Sequence, residues 1–132
     1  MRGIDTNILV RFLVGDDEFQ AGKVYRLFKK AEADKEELFV SLLVVLELVW
    51  VLESVYDIAR DEILESISDL LLMPILRFEQ PSVLQQFVLS ARDNNNDLSD
   101  LLIAHTAREQ GCRSVLTFDK KASRHPLFEL AE

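Results

Sequence analysis

The sequence predicts an α/β domain, with short strands set between amphipathic helices. Three observations predict it. Short apolar segments alternate with longer ones of helical periodicity. Two of the short segments lead straight to an acid, Met1–Asp5 and Ser114–Asp119. No segment is repeated or of low complexity, and 132 residues suit a single domain spanning 1–132 with one core.

Met1–Asp5 is apolar around Ile4 and reads as a strand with Asp5 at its carboxyl end. In open α/β sheets the ligand crevice lies outside the carboxyl ends of the strands. Thr6 and Asn7 suit a helix N-terminus, and taken alone Asp5 reads more readily as the cap of that helix. Ile8, Leu9, Phe12 and Leu13 recur at helical spacing, and Gly15 ends the run. The acids Asp16, Asp17 and Glu18 then open a second helix, where the macrodipole favours negative charge. Ala21, Val24, Leu27, Phe28 and Ala31 mark its buried stripe.

Leu38–Ser41 is a short strand. From Leu42 to Leu52 every residue is aliphatic or aromatic except Glu47. The Val content would suit a strand, but Leu42–Val55 is too long for one and is read as a helix. Its expected buried side carries Val44, Glu47, Leu48, Val51 and Val55, with Trp50 in core or dimer packing. A carboxylate so placed costs several kcal/mol, on the order set by desolvation, unless something answers its charge. No Lys or Arg lies between Lys35 and Arg60 to do so.

Tyr56–Arg60 reads as a turn and Asp61–Leu72 as a helix that Pro74 stops. Ile75–Phe78 is a buried strand. Pro81 starts a helix with Val83, Leu84, Phe87, Val88 and Ala91 inward. Arg92–Asp97, RDNNND, is a loop. Asp97 as N-cap puts Asp100 at N3 of the next helix, and the stripe of Asp100, Ile103, Ala104 and Ala107 would turn Asp100 inward. Gly111 stops that helix. Cys112 is expected as a small buried residue, Ser114–Thr117 as a strand, and Leu127–Leu130 as an edge strand. His105 has no second His or Cys at metal-ligand spacing and is read as a surface or core residue. His125 is unassigned.

Composition narrows the function. Hydrophobic residues make up 48% and charged ones 29%, as in ordinary globular chains. The net charge of −8 argues against gripping nucleic acid by bulk attraction. Thr106–His125 departs from this with five bases against two acids. One cysteine, Cys112, excludes an internal disulfide and a cysteine-based zinc site, and fits a reducing cytoplasm. No signal peptide and no membrane span are expected. There is no Gly-rich phosphate loop, GxSxG, HExxH or CxxC.

What remains is a set of carboxylates. Oxygen ligands select hard cations, Mg²⁺ or Mn²⁺, one ion or two. The chemistry that needs no nucleophilic Ser, Cys or His is metal-assisted phosphodiester hydrolysis. Asp5, Asp100 and Asp119 are the expected metal ligands, with Glu47 binding or orienting the water. Asp97 is an outer acid or a cap, and Lys120, Lys121 and Arg124 are candidate phosphate contacts.

Four stretches, IDTNILVRFL, SLLVVLELVWVL, DLSDLLIAHTAREQGC and VLTFDKKA, resemble in this order the PIN domain family, and within it the VapC-type toxins of toxin–antitoxin pairs. The resemblance implies a three-layer α/β/α fold with a mostly parallel sheet. It implies Mg²⁺- or Mn²⁺-dependent cleavage of RNA, homodimers and inhibition by a cognate antitoxin. Its acidic positions fall on Asp5, Glu47, Asp100 and Asp119, with Asp97 a further acid, and Asn7 and Thr117 match its polar helpers. Two other readings compete: an interaction module whose acids merely cap helices, and a Mg²⁺ phosphohydrolase of small substrates.

Overall fold

The computed structural model describes residues 1–132. The chain divides into two compact units, Met1–Glu79 and Gln80–Glu132.

The first unit runs β1 (Arg2–Gly3), α1 (Thr6–Val14), α2 (Glu18–Asp34), β2 (Leu38–Val40), α3 (Leu42–Ser54), α4 (Arg60–Leu71) and β3 (Leu76–Phe78). Its strands pair only in parallel, in the order β1-β2-β3, with Arg2 opposite Leu38 and Leu38 opposite Leu76. Parallel neighbours require crossovers, and the helices supply them. The strand before Asp5 is shifted from the sequence reading. The paired residues are the exposed Arg2 and Gly3, and Ile4 adds one amide bond to the Phe39 carbonyl. Gly15 closes α1 in the left-handed region at φ 67°. Asp17 caps α2 by accepting from the Gln20 amide. Ser41 does the same for α3 at Val44, and the Glu79 carboxylate takes the Leu42 amide at 2.8 Å. These bonds satisfy amides that a helix start leaves orphaned.

The rotation of α3 corrects the sequence reading. Its buried face is Val45, Leu48, Val49 and Leu52. Glu47 is exposed, and so are Val55 and Trp50, the latter 56% accessible. Glu47 therefore carries no burial penalty and needs no partner to answer its charge.

The second unit runs α5 (Pro81–Ala91), α6 (Leu98–Glu109), β4 (Val115–Thr117), a 3-10 turn over Ala122–Arg124, and β5 (Phe128–Leu130). β4 and β5 pair in parallel, with Val115 opposite Phe128. All five expected core residues of α5 are buried. The buried face of α6 is Leu98, Leu101, Leu102, Ala104 and His105. Ile103 is exposed, and Asp100 is only half-buried. Cys112, expected inside, is also exposed. Gly111 at φ 92° turns the chain sharply past the end of α6 and leaves its neighbour on the surface.

Helices joined by parallel strands match the expected α/β/α class. No helix is long and apolar enough to cross a membrane.

Candidate functional site

The second unit places three acids in mutual electrostatic reach. Asp97 is the N-cap of α6, and its Oδ1 accepts from the Asp100 amide at 2.9 Å. Asp100 stands one turn in, on the flank of the buried face. Asp119 follows β4 by two residues. Its backbone amide donates to Thr117 Oγ1 at 3.0 Å, and its Oδ1 accepts from the amides of Lys121 and Ala122 at 2.8 and 3.2 Å. Thr117 thus holds the backbone of Asp119. The carboxylate in turn fastens the start of the 3-10 turn.

Asp100 pays for this placement. Partial burial pushes its carboxyl above the usual carboxylate range, and the charges of Asp97 and Asp119 push it further the same way. The direction marks a spot where negative charge is in excess and a proton or cation is favoured. The oxygens left over suit the second. Asp97 and Asp119 each spend only Oδ1 on the backbone, and neither oxygen of Asp100 is hydrogen-bonded. Free carboxylate oxygens are the donor set for Mg²⁺ or Mn²⁺. In neither unit are three or more His, Cys, Asp or Glu side chains already gathered around one point as a formed cage.

The first unit holds the other two expected acids. Asp5 occupies the N-cap position of α1 at φ −96°, ψ 178°, but its side chain makes no capping bond. It is exposed and lines a cavity of about 360 Å³ with Gly3, Ile4, Ile8 and Leu27. Asn7 is exposed too, and no hydrogen bond ties it to Asp5. Glu47 faces solvent from the middle of α3, without a hydrogen bond or ion pair. Another cavity of this unit, about 310 Å³ and lined by Phe12, Tyr25, Phe28, Met73 and Pro74, is mainly apolar and offers no hydrolytic group beyond Glu32.

The chain matches the PIN domain family over residues 4–126. It belongs to that family. It is also similar to the VapC ribonuclease of Aquifex aeolicus (strain VF5). The identity is 26% over 121 residues, which cover 92% of this chain and 89% of that protein. The PIN match runs from just before Asp5 to just past His125, so it spans all five acids, Asp5, Glu47, Asp97, Asp100 and Asp119. The sequence reading of this PIN domain missed two features. One is the anchoring of the 3-10 turn by Asp119, which a three-residue element gives no periodicity to reveal. The other is a polar cavity of about 390 Å³ in the second unit, lined by Asp93, Asn94, Asn96, Arg124, His125 and Pro126. The signal for it was present in RDNNND and in an unassigned His125.

Proposed function

We propose that this PIN domain is a Mg²⁺- or Mn²⁺-dependent endoribonuclease, the toxin of a toxin–antitoxin pair. The observation that carries the reading is Asp100, a carboxylate held against two others inside a chain of this family. The similarity to a protein named VapC ribonuclease supports RNA as the substrate. Asp5, Asp100 and Asp119 are assigned to the metal, and Glu47 to the metal or its water. When bound, the ion supplies charge neutralisation at the phosphate and a water of lowered pKa.

The chain's own residues do the positioning. Thr117 and the amides of Lys121 and Ala122 hold Asp119 in one orientation. Asp97 starts α6 and so fixes where Asp100 stands, acting from outside the metal. Asn7 is assigned to orient groups beside Asp5. Lys120, Lys121 and Arg124 are exposed and form no ion pair, which leaves them available to phosphates. The partners assigned are single-stranded RNA, a cognate antitoxin protein and a second copy of the chain, acting in the cytoplasm.

A role in helix capping alone fits these acids poorly. Asp97 is a cap, but Asp5 sits at a cap position and makes no capping bond. The test is incubation of the purified chain with RNA, with and without Mg²⁺, beside Asp5→Asn. Cleavage by the wild type only with metal, and its loss in the variant, is expected. Equal cleavage by both proteins overturns the reading.

A further inference from the structure

We infer that the cavity between the Arg92–Asp97 loop and the Arg124–Pro126 segment binds one nucleobase of the RNA, and that Asp93, Arg124 and His125 make it a guanine site. The inference rests on the ribonuclease reading for its ligand class, and on the second unit alone for its geometry.

The cavity is of a size to take a base. Its volume of about 390 Å³ falls in the range of ~300–1,000 Å³ common for small-ligand pockets. Both walls are fixed by local hydrogen bonds. On one side Asn94 Nδ2 donates to the Ser90 carbonyl at 2.8 Å, and Asn94 Oδ1 accepts from the Asn96 amide at 2.9 Å. The Asp93 amide also donates to the Ser90 carbonyl. On the other side the His125 amide donates to the Ala122 carbonyl, and the Phe128 amide to that of His125. A preformed wall spares the ordering cost that weakens recognition by loose loops. Asn94 is spent on this scaffold and shapes the pocket rather than reading the ligand.

The chemistry of the lining then selects the base. His125 Nδ1 accepts from the Leu127 amide at 3.1 Å, so a neutral ring carries its proton on Nε2 and is a donor there. Burial lowers the pKa of His125, which favours that neutral form. Arg124, which lines the cavity, serves here as a second donor in place of a phosphate contact. Asp93 is exposed and its carboxylate has no hydrogen-bonded partner, so it offers two acceptor oxygens. The lining therefore combines a two-oxygen acceptor with donors. Guanine has the matching edge: N1–H and the N2 amino group side by side as donors, next to O6 as acceptor. Adenine, cytosine and uracil each lack adjacent paired donors. Splayed single-stranded bases are read on these edges in this way. Pro126 supplies an apolar face for the base plane.

The pocket lies along the segments that carry the acids. Asn96 directly precedes Asp97, and Arg124 closes the 3-10 turn that Asp119 fastens. A base held there is held by the segments that carry two of the acids, and the reaction should cut at a fixed offset from guanosine.

Two measurements test this separately from the ribonuclease reading. The first is binding. The full-length Asp100→Asn chain in EDTA is titrated against fluorescein-labelled single-stranded oligo-uridylate carrying one guanosine, one inosine or one adenosine. A bidentate contact to a base is worth ~1–3 kcal/mol, so guanosine should bind about tenfold tighter than adenosine. Inosine, lacking the N2 amino group, should fall between. Adding Asp93→Asn should bring the three affinities together. Equal affinities before that substitution, or an undiminished guanosine preference after it, overturn the pocket. The second is mapping of cleavage sites with Mg²⁺ by the wild type. Absence of any cleavage defeats the ribonuclease reading and leaves the binding result to decide the pocket. Cleavage without guanosine at a constant offset defeats the pocket and leaves the nuclease intact.

Discussion

Asp5 and Asp97 hold the same position in two helices, one in each unit, and do different work. Both are N-cap residues. Asp97 accepts from the amide three residues on, while Asp5 accepts from nothing. The contrast extends to their units. In the first, Asp5 and Glu47 are exposed and unengaged. In the second, partial burial and then the charges of Asp97 and Asp119 raise the pKa of Asp100. An acid bonded to its own helix is accounted for by folding. An acid at a cap position without that bond is not accounted for by capping.

The largest effect concerns the scaffold of the second unit. Phe87 is completely buried in α5, and Phe87→Ala should cost about 3–5 kcal/mol of unfolding free energy, read by urea titration. A cost near that of a surface change would mean that this unit lacks the core described.

Next comes Asp100. Asp100→Asn should lower Mg²⁺-dependent RNA cleavage about a hundredfold or more, past the ~10–100-fold typical of losing an outer partner of a metal. The same variant should be the more stable protein at neutral pH. As pH rises through the carboxylate range, the unfolded chain releases its proton before folded Asp100 does, so stability falls. The loss is complete once the folded group has also ionised. The stability difference between variant and wild type should therefore be small in acid and grow to a plateau towards neutrality. A difference that does not change with pH would remove the electrostatic account of this acid. Millimolar Mg²⁺ should raise the Tm of the wild type more than that of the variant, since an ion would answer the same charge.

Capping separates the two helix starts more finely. Asp97→Ala should cost about 1 kcal/mol, the usual worth of a cap. Asp5→Ala should cost less than about 0.5 kcal/mol, because no bond is lost. Similar costs at both would erase the distinction.

The smallest effect belongs to His105. It is 7% accessible and its Nε2 has no partner. Burial lowers its pKa, with Arg108 and His125 acting the same way. Below the ordinary histidine range near ~6.5 the unfolded chain takes up the proton first, and stability is lost. His105→Leu should flatten that acid slope and gain up to about 1 kcal/mol by removing an unpaired buried nitrogen. A steeper slope in the variant would contradict this.

What the sequence made legible was local. Helix starts at Asp17, Pro81 and Asp97 and the stop at Gly15 follow from capping chemistry within a few residues. The inward face of α5 was readable because Gln85, Gln86 and Ser90 mark its other side. In α3 that marker is missing. With apolar residues nearly all round, Val44–Leu48–Val51 and Val45–Leu48–Leu52 fit almost equally well, and the two stripes differ by about one residue of rotation, ~100°. That rotation put Glu47 inside on paper and outside in the fold. The same slip turned Ile103 inward on α6 and overstated the burial of Asp100. The acids themselves were legible as residue types and by family resemblance. Their surroundings depend on tertiary packing that no local pattern encodes.

The two hydrogen bonds that Asp119 Oδ1 accepts from the amides of Lys121 and Ala122 make one side chain answerable to two tenants. Any displacement of this oxygen is transmitted to the turn bearing Lys120, Lys121 and Arg124. An ion taken up by the acids would then bear on the set of the basic residues, and such a linkage would run both ways. A ligand that steadies the turn steadies the carboxylate.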